Sequence, residues 1–131
     1  MRPQGFPRAL RIRRGRDFDR VFRAGGRAAD ALLAVHALPN DGPHPRLGLA
    51  VGRGIGGAVV RNRVKRLLRE AFRIRRGDLP PSHDLVVVAR GTDPTAWTRD
   101  AAEASLLALA PAAAARVRPR GATDAPKRKT R

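Results

Sequence analysis

Apolar residues recur along this chain with two different periods, and the changes from one to the other mark its elements. Phe18, Val21 and Phe22 share one face of a short helix over residues 17–24, with Asp17 and Asp19 in its first turn and Gly25-Gly26 as its stop. Residues 31–38 read as a strand, ended by the turn Asn40-Asp41-Gly42-Pro43, and residues 47–51 as a second strand that the connection allows to pair antiparallel with the first. Over residues 58–75 the period becomes helical. At about 100° per residue, Val60, Val64, Leu67, Leu68 and Ala71 gather in an arc of about 100°, and Gly77 with Pro80-Pro81 closes the helix. Residues 85–89, Leu-Val-Val-Val-Ala, are apolar without a break, which fits a strand covered on both faces and open to a parallel neighbour. A final Ala/Leu-rich helix over 98–110 has Thr98 as its N-cap and Pro111 at its end. The order α-β-β-α-β-α predicts an α/β fold, a two-layer α-β sandwich, forming one domain over residues 10–115. An irregular basic stretch, 1–9, precedes it, and a disordered basic tail, 116–131, follows, in which Pro, Gly and Thr separate the charges.

Charge narrows the field of partners. The 131 residues carry 28 Lys plus Arg against 11 Asp plus Glu, a formal net charge of +17. The excess is segregated: residues 1–76 hold 19 basic and 5 acidic side chains, residues 77–115 hold 2 and 5, and residues 116–131 hold 7 and 1. Such an excess repels itself in the compact state and calls for a polyanion, either nucleic acid or an anionic membrane surface. No apolar run approaches the roughly 20 residues of a membrane span, and no signal-like stretch follows the basic start, so a soluble, cytoplasmic protein with no membrane partner is expected. Absence of cysteine excludes disulfides, thiolate metal sites and cysteine nucleophiles, and His36, His44 and His83 lack the spacing of a helical metal site. The cations are nearly all arginine, a side chain suited to phosphates and stacked bases, although GC-rich coding better accounts for the ratio of Arg to Lys, and it is the placement of the charges that points to function.

The long helix concentrates the signal. Arg61, Lys65, Arg69 and Arg73 follow one another at i, i+4 spacing, and Asn62, Arg63 and Arg66 widen the surface, with Glu70 as the helix's acidic residue. Like charges at this spacing cost an isolated helix a few tenths of a kcal/mol per pair, whereas a solvated face of ordinary kind mixes signs. A row of phosphates turns that repulsion into binding through counterion release. Ahead of this helix, Gly52-Arg53-Gly54-Ile55-Gly56-Gly57 matches G-x-G-x-x-G, the fingerprint of dinucleotide binding. A Rossmann unit needs an acidic residue at the carboxyl end of the next strand, yet Asp84 falls at the amino end of residues 85–89 and that strand finishes in Arg90. The loop instead offers backbone N–H groups at a helix N-terminus to an RNA phosphate. Phe18 and Phe22 fit either core packing or the stacking of single-stranded bases, and His36, on the alternate face of the first strand with Ala34, either lines the same groove or is a satisfied core histidine.

The run Ala58-Val59-Val60-Arg61-Asn62-Arg63-Val64-Lys65-Arg66-Leu67-Leu68-Arg69-Glu70 resembles the RNR motif of the bacterial ribonuclease P protein component. Supporting matches are Arg16-Asp17-Phe18-Asp19-Arg20-Val21-Phe22 and Arg46-Leu47-Gly48-Leu49-Ala50-Val51, and the likeness runs from about residue 10 to 110. That resemblance implies a left-handed β-α-β crossover, against the usual preference. It further implies the protein subunit of an endoribonuclease that removes the 5′ leader of precursor tRNA, in which a catalytic RNA, with its magnesium ions, performs the hydrolysis. The protein then contributes no catalytic residue, metal ligand or small-molecule cofactor, and broadens the substrate range. Arg53, Arg61, Asn62, Arg63, Lys65, Arg66 and Arg69 would face the catalytic RNA; Phe18, Phe22, Ala34 and His36 would form the leader-binding cleft. This chain has Gly54 and Gly57 where relatives commonly carry Lys, and Asn or Lys, and His36 where an aromatic residue is frequent. Other readings of the residues are a general RNA-binding or ribosomal-type protein using the same helix, and a small nucleotide-dependent enzyme resting on the glycine loop alone.

Overall fold

The computed structural model describes residues 10–117. The expectations for residues 1–9 and 118–131 lie outside that range. Three helices, α1 (Gly15–Ala24), α2 (Ala58–Arg75) and α3 (Arg99–Ala115), and four strands, β1 (Gly26–Ala29), β2 (Leu33–Pro39), β3 (Arg46–Ala50) and β4 (His83–Ala89), make a mixed α/β fold. The sheet order is β1-β2-β4-β3. Its core lies on one face, where Leu33, Val35, Ala37, Leu47, Leu85 and Val87 meet Val64, Leu68, Ala71 and Phe72 of α2 and Ala102, Leu106, Ala110 and Ala113 of α3. This is the sandwich the periodicities imply. Helix α1 lies on the opposite face, where Val21 packs with Ile12 and Val86 and with half-buried Phe18, Leu38 and Val88.

Several features depart from the sequence reading. Strand β2 does not pair with β3. It pairs antiparallel with β4, which in turn pairs parallel with β3, so that β3–α2–β4 is a parallel crossover unit. The reason lies in residues 85–89: a strand apolar on both faces loses most by standing at an edge, and it takes the centre of the sheet. Gly25 does stop α1, its N–H donating to the Val21 carbonyl at 2.8 Å, but Gly26 already begins an additional strand, β1, paired antiparallel with β2. Asp30 makes the turn between them, accepting the N–H groups of Leu32 and Leu33 at 2.9 Å each.

The last helix starts as expected, with the Thr98 hydroxyl accepting the Ala101 N–H at 3.1 Å, yet it runs through Pro111 to Ala115. Proline removes one donor, and here it sits on the exposed side while Ala110 and Ala113 stay fully buried beside it. Arg116, expected in the disordered tail, instead caps this helix through its N–H and donates from Nη1 to the Arg27 carbonyl at 2.8 Å.

Candidate nucleic-acid interface

Strand β3 delivers the chain into the glycine loop. Residues Arg53–Ile55 form one turn of 3-10 helix, anchored by buried Ile55 and leaving Arg53 exposed. Of the four loop glycines only Gly56 is required by the fold: its φ is +153°, and a Cβ there would stand 2.9 Å from the Cβ of Val60. Gly52, Gly54 and Gly57 have nothing within 4 Å of that position. Helix α2 then follows Gly57, an N-cap that offers no side chain to the first turn, and no acidic residue occupies that turn.

The stripe of α2 is wider than the sequence reading, because Phe72 is buried with Val64, Leu68 and Ala71. At about 100° per residue, Arg61 lies on the same side as Leu68 and Phe72. It is consequently half-buried, and its Nε, enclosed by protein, lacks a hydrogen-bond partner. On the opposite flank Arg63 donates from Nη2 to the carbonyl of Trp97 at 2.9 Å, which ties α2 to the segment that leads into α3. Arg66 shares with Arg63, Arg99, Glu70 and Asp100 the groove between α2 and α3. Among the described residues, none of Arg53, Arg61, Arg63, Lys65, Arg66 and Arg69 forms an ion pair with a carboxylate. The pairs of this helix fall at its other end, Arg73 with Glu70 and Arg75 with Glu103 and Asp78. The four-member row thus loses Arg73 to an internal partner.

A second cationic element joins α2 from the edge of the sheet. Arg11 bridges Leu47 in parallel, and the Ile12 N–H donates to the Leu47 carbonyl at 2.9 Å, so residues 10–12 run along β3. Burial, reinforced by the charge of Arg11, holds the Arg69 guanidinium below the usual arginine range. The sequence gives no sign of this approach, because residue 11 lies in a stretch without periodicity.

On the far face, α1 crosses the sheet along one cross-strand row, Arg27, His36, Val86 and Gly48. Phe18 stands over Gly48, where an added Cβ would come within 2.8 Å of its ring. Phe22, 41% exposed, meets His36 edge-on, with ring centroids 4.8 Å apart and planes at 85°. The next row, Ala29, Ala34, Val88 and Ala50, consists of small apolar side chains and leads toward the glycine loop that follows β3. The structure therefore brings Phe18, Phe22, Ala34 and His36 to one face; Ala34, 1% exposed, shapes the floor and offers almost no contact of its own. Burial and the charge of Arg27 push the His36 imidazole below its ordinary value.

Asp84 has no freedom to serve a ribose. It is 1% exposed and fully engaged, taking Nε and Nη2 of Arg46 at 2.7 Å each and Nδ2 of Asn40 at 2.9 Å. That removes the carboxylate a dinucleotide reading of the glycine loop would need. Among the described residues, no group of three His, Asp or Glu side chains is placed to hold a metal ion, and no helix is long and apolar enough to cross a membrane.

Residues 6–109 match the family model for ribonuclease P. The ribonuclease P protein component of Desulfovibrio desulfuricans is 47% identical over 92 residues, covering 69% of this chain and 71% of the relative. That of Brevibacillus brevis is 41% identical over 102 residues, covering 76% and 79%. Among solved structures, the RNase P protein from Thermotoga maritima superposes with a TM-score of 0.68 at 32% identity, over 75% of this chain and 92% of that one. The Staphylococcus aureus RNase P protein does so with 0.67 at 32%, over 76% and 90%. With the model spanning most of its length and the fold shared as well, the chain belongs to the ribonuclease P protein family.

Proposed function

We propose that this chain grips the catalytic RNA of ribonuclease P with the glycine loop and the first three turns of α2, and holds the 5′ leader of precursor tRNA between α1 and the sheet. Family membership carries the coarser statement, that the chain is the protein subunit of an endoribonuclease of tRNA processing. The observation that supports the finer one is the distribution of partners along α2. Arg61, Arg63, Lys65, Arg66 and Arg69 have no carboxylate partner among the described residues, while Arg73 and Arg75 have theirs. Phosphates would neutralise the first set without competing with the protein's own acids. Phe18, Phe22 and His36 beside a floor of small apolar residues suit a single strand, whose bases can lie against ring faces and edges. On this reading magnesium belongs to the RNA subunit, and the protein contributes position and charge.

Cleavage of precursor tRNA by the RNA subunit at low magnesium, with and without this chain, tests the proposal: stimulation is expected, and none at all would refute it. A general RNA-binding protein with the same helix would bind leader-bearing and mature tRNA equally in the reconstituted particle. A preference for the leader-bearing form separates the two.

A further inference from the structure

We propose that His36 makes the hold of the α1 face on a single RNA strand proton-dependent, the charged imidazole contacting a backbone phosphate and the neutral one only packing. This rests on the leader-binding reading above and goes beyond it, since that reading asks of the residue only an aromatic surface. The geometry comes from the sheet. In the row beneath α1, Val86 and Gly48 bring no polar side chain, and the neighbouring row is Ala29, Ala34, Val88 and Ala50. His36, half-buried, stands where the aromatic wall of α1 meets this apolar strip, with its ring held edge-on by Phe22. A strand lying in the strip would pass His36 and its register partner Arg27, the two polar side chains of that row.

Its surroundings set the sign. From β1 the register partner is Arg27, whose charge, after burial itself, disfavours the imidazolium. From β4 the partner is Val86, and the nearest acid on that strand, Asp84, is committed to Arg46 and Asn40. Helix α1 brings Phe22, with Asp19 and Arg23 beside it, both exposed. In the free protein burial and the charge of Arg27 therefore both favour the neutral ring. A bound phosphate opposes both burial and Arg27, so the complex takes up a proton. Affinity for the strand is then highest below the free ring's pKa and is lost as pH rises through the value it has in the complex.

The experiment is equilibrium binding by the holoenzyme, reconstituted from the full chain and the RNA subunit, of leaderless tRNA and of leader-bearing tRNA made uncleavable at the junction, between pH 5.5 and 7.5. The preference for the leader-bearing form should fall as pH rises across that range, by up to about tenfold for each pKa unit that binding adds to the ring, and the His36→Phe enzyme should show a flat preference. An equal pH dependence in His36→Phe would overturn the inference and leave the cleft reading intact. Absence of leader preference at every pH would remove the cleft reading as well. Should His36→Phe fail to fold, the pKa of His36 read by NMR in the full chain, with and without a bound single-stranded RNA, decides instead: a rise on binding supports the proposal, and an unchanged value overturns it.

Discussion

Replacing Arg61, Lys65 and Arg69 together by glutamine should flatten the salt dependence of binding to the RNA subunit without unfolding the protein. Glutamine keeps part of each aliphatic stem, which matters because Arg61 and Lys65 are half-buried. Every phosphate left without its cation takes about 0.7 to 0.9 off the slope of log affinity against log salt, so three phosphates amount to about 2.1 to 2.7, or roughly 20- to 40-fold between 50 and 200 mM salt. The structure supplies its own control in Arg73 and Arg75, whose guanidiniums already face Glu70 and Glu103. Substituting those two should move the slope far less and cost stability where α2 packs on α3. Filter binding across a salt series, with circular dichroism to monitor folding, reads both. If the two variants flatten the slope alike, or the triple variant leaves it unchanged, pairing state does not mark the interface and the reasoning fails.

Other positions test the fold and the loop. Arg46→Met should leave the Asp84 carboxylate, 1% exposed, with Asn40 as its remaining side-chain partner, costing about 3 kcal/mol in urea unfolding. Gly54→Lys and Gly57→Lys enter open space and should fold normally while tightening RNA binding and steepening the salt slope, whereas Gly56→Ala, forced to φ +153° against Val60, should lose about 1 to 3 kcal/mol. Asp30→Ala removes the acceptor of Leu32 N–H, Leu33 N–H and the Ser105 hydroxyl, a loss of about 2 to 3 kcal/mol at about 1 kcal/mol per bond. Burial raises the Asp30 carboxyl, but the bonds from Leu33, Ser105 and Leu32 and the charge of Arg90 together hold it below its ordinary value. Its contribution is therefore present above the unfolded pKa of about 3.9 and fades as pH falls through the lower folded one, so thermal melts of variant and wild type should converge in strong acid.

What sequence could reveal depended on how local the cause was. Helix α2 was legible almost to its ends, because its stripe lies within it and a glycine stands just beyond each end. The burial of residues 85–89 on both faces was legible too, since an apolar run with no polar face needs cover on both sides. Strand β1 was not: Gly26-Arg27-Ala28-Ala29 has no β-branched residue, and its first glycine reads as a helix stop. Only the fold shows why glycine is needed there, since a Cβ would fall 2.1 Å from the Ala113 carbonyl oxygen of α3. The antiparallel pairing expected between residues 31–38 and 47–51 went wrong because adjacency in sequence carries no information about a later strand inserting between two earlier ones. Of the candidate interface, residue identities were legible and their partners were not. The Arg63 bond to Trp97, the ion pair of Arg73 and the approach of Arg11 to Arg69 all depend on tertiary neighbours.

The placement of those partners is itself an argument about the ligand. A helix carries partial positive charge at its N-terminus and partial negative charge at its C-terminus, so cations are favoured in the last turn and opposed in the first. Selection for stability alone would put the carboxylates of α2 at its start and leave the terminal arginines to the dipole. The protein does the reverse: the first turn has no acidic residue and no side-chain cap, Arg61, Arg63 and Lys65 follow without carboxylate partners among the described residues, and the acids Glu70, Asp78 and Glu103 attend the arginines that need them least. Helix dipole, glycine loop and unpaired cations thus add their fields at one end of one rod. Such an arrangement opposes folding until an anion of matching extent arrives, and a polyphosphate backbone has that extent.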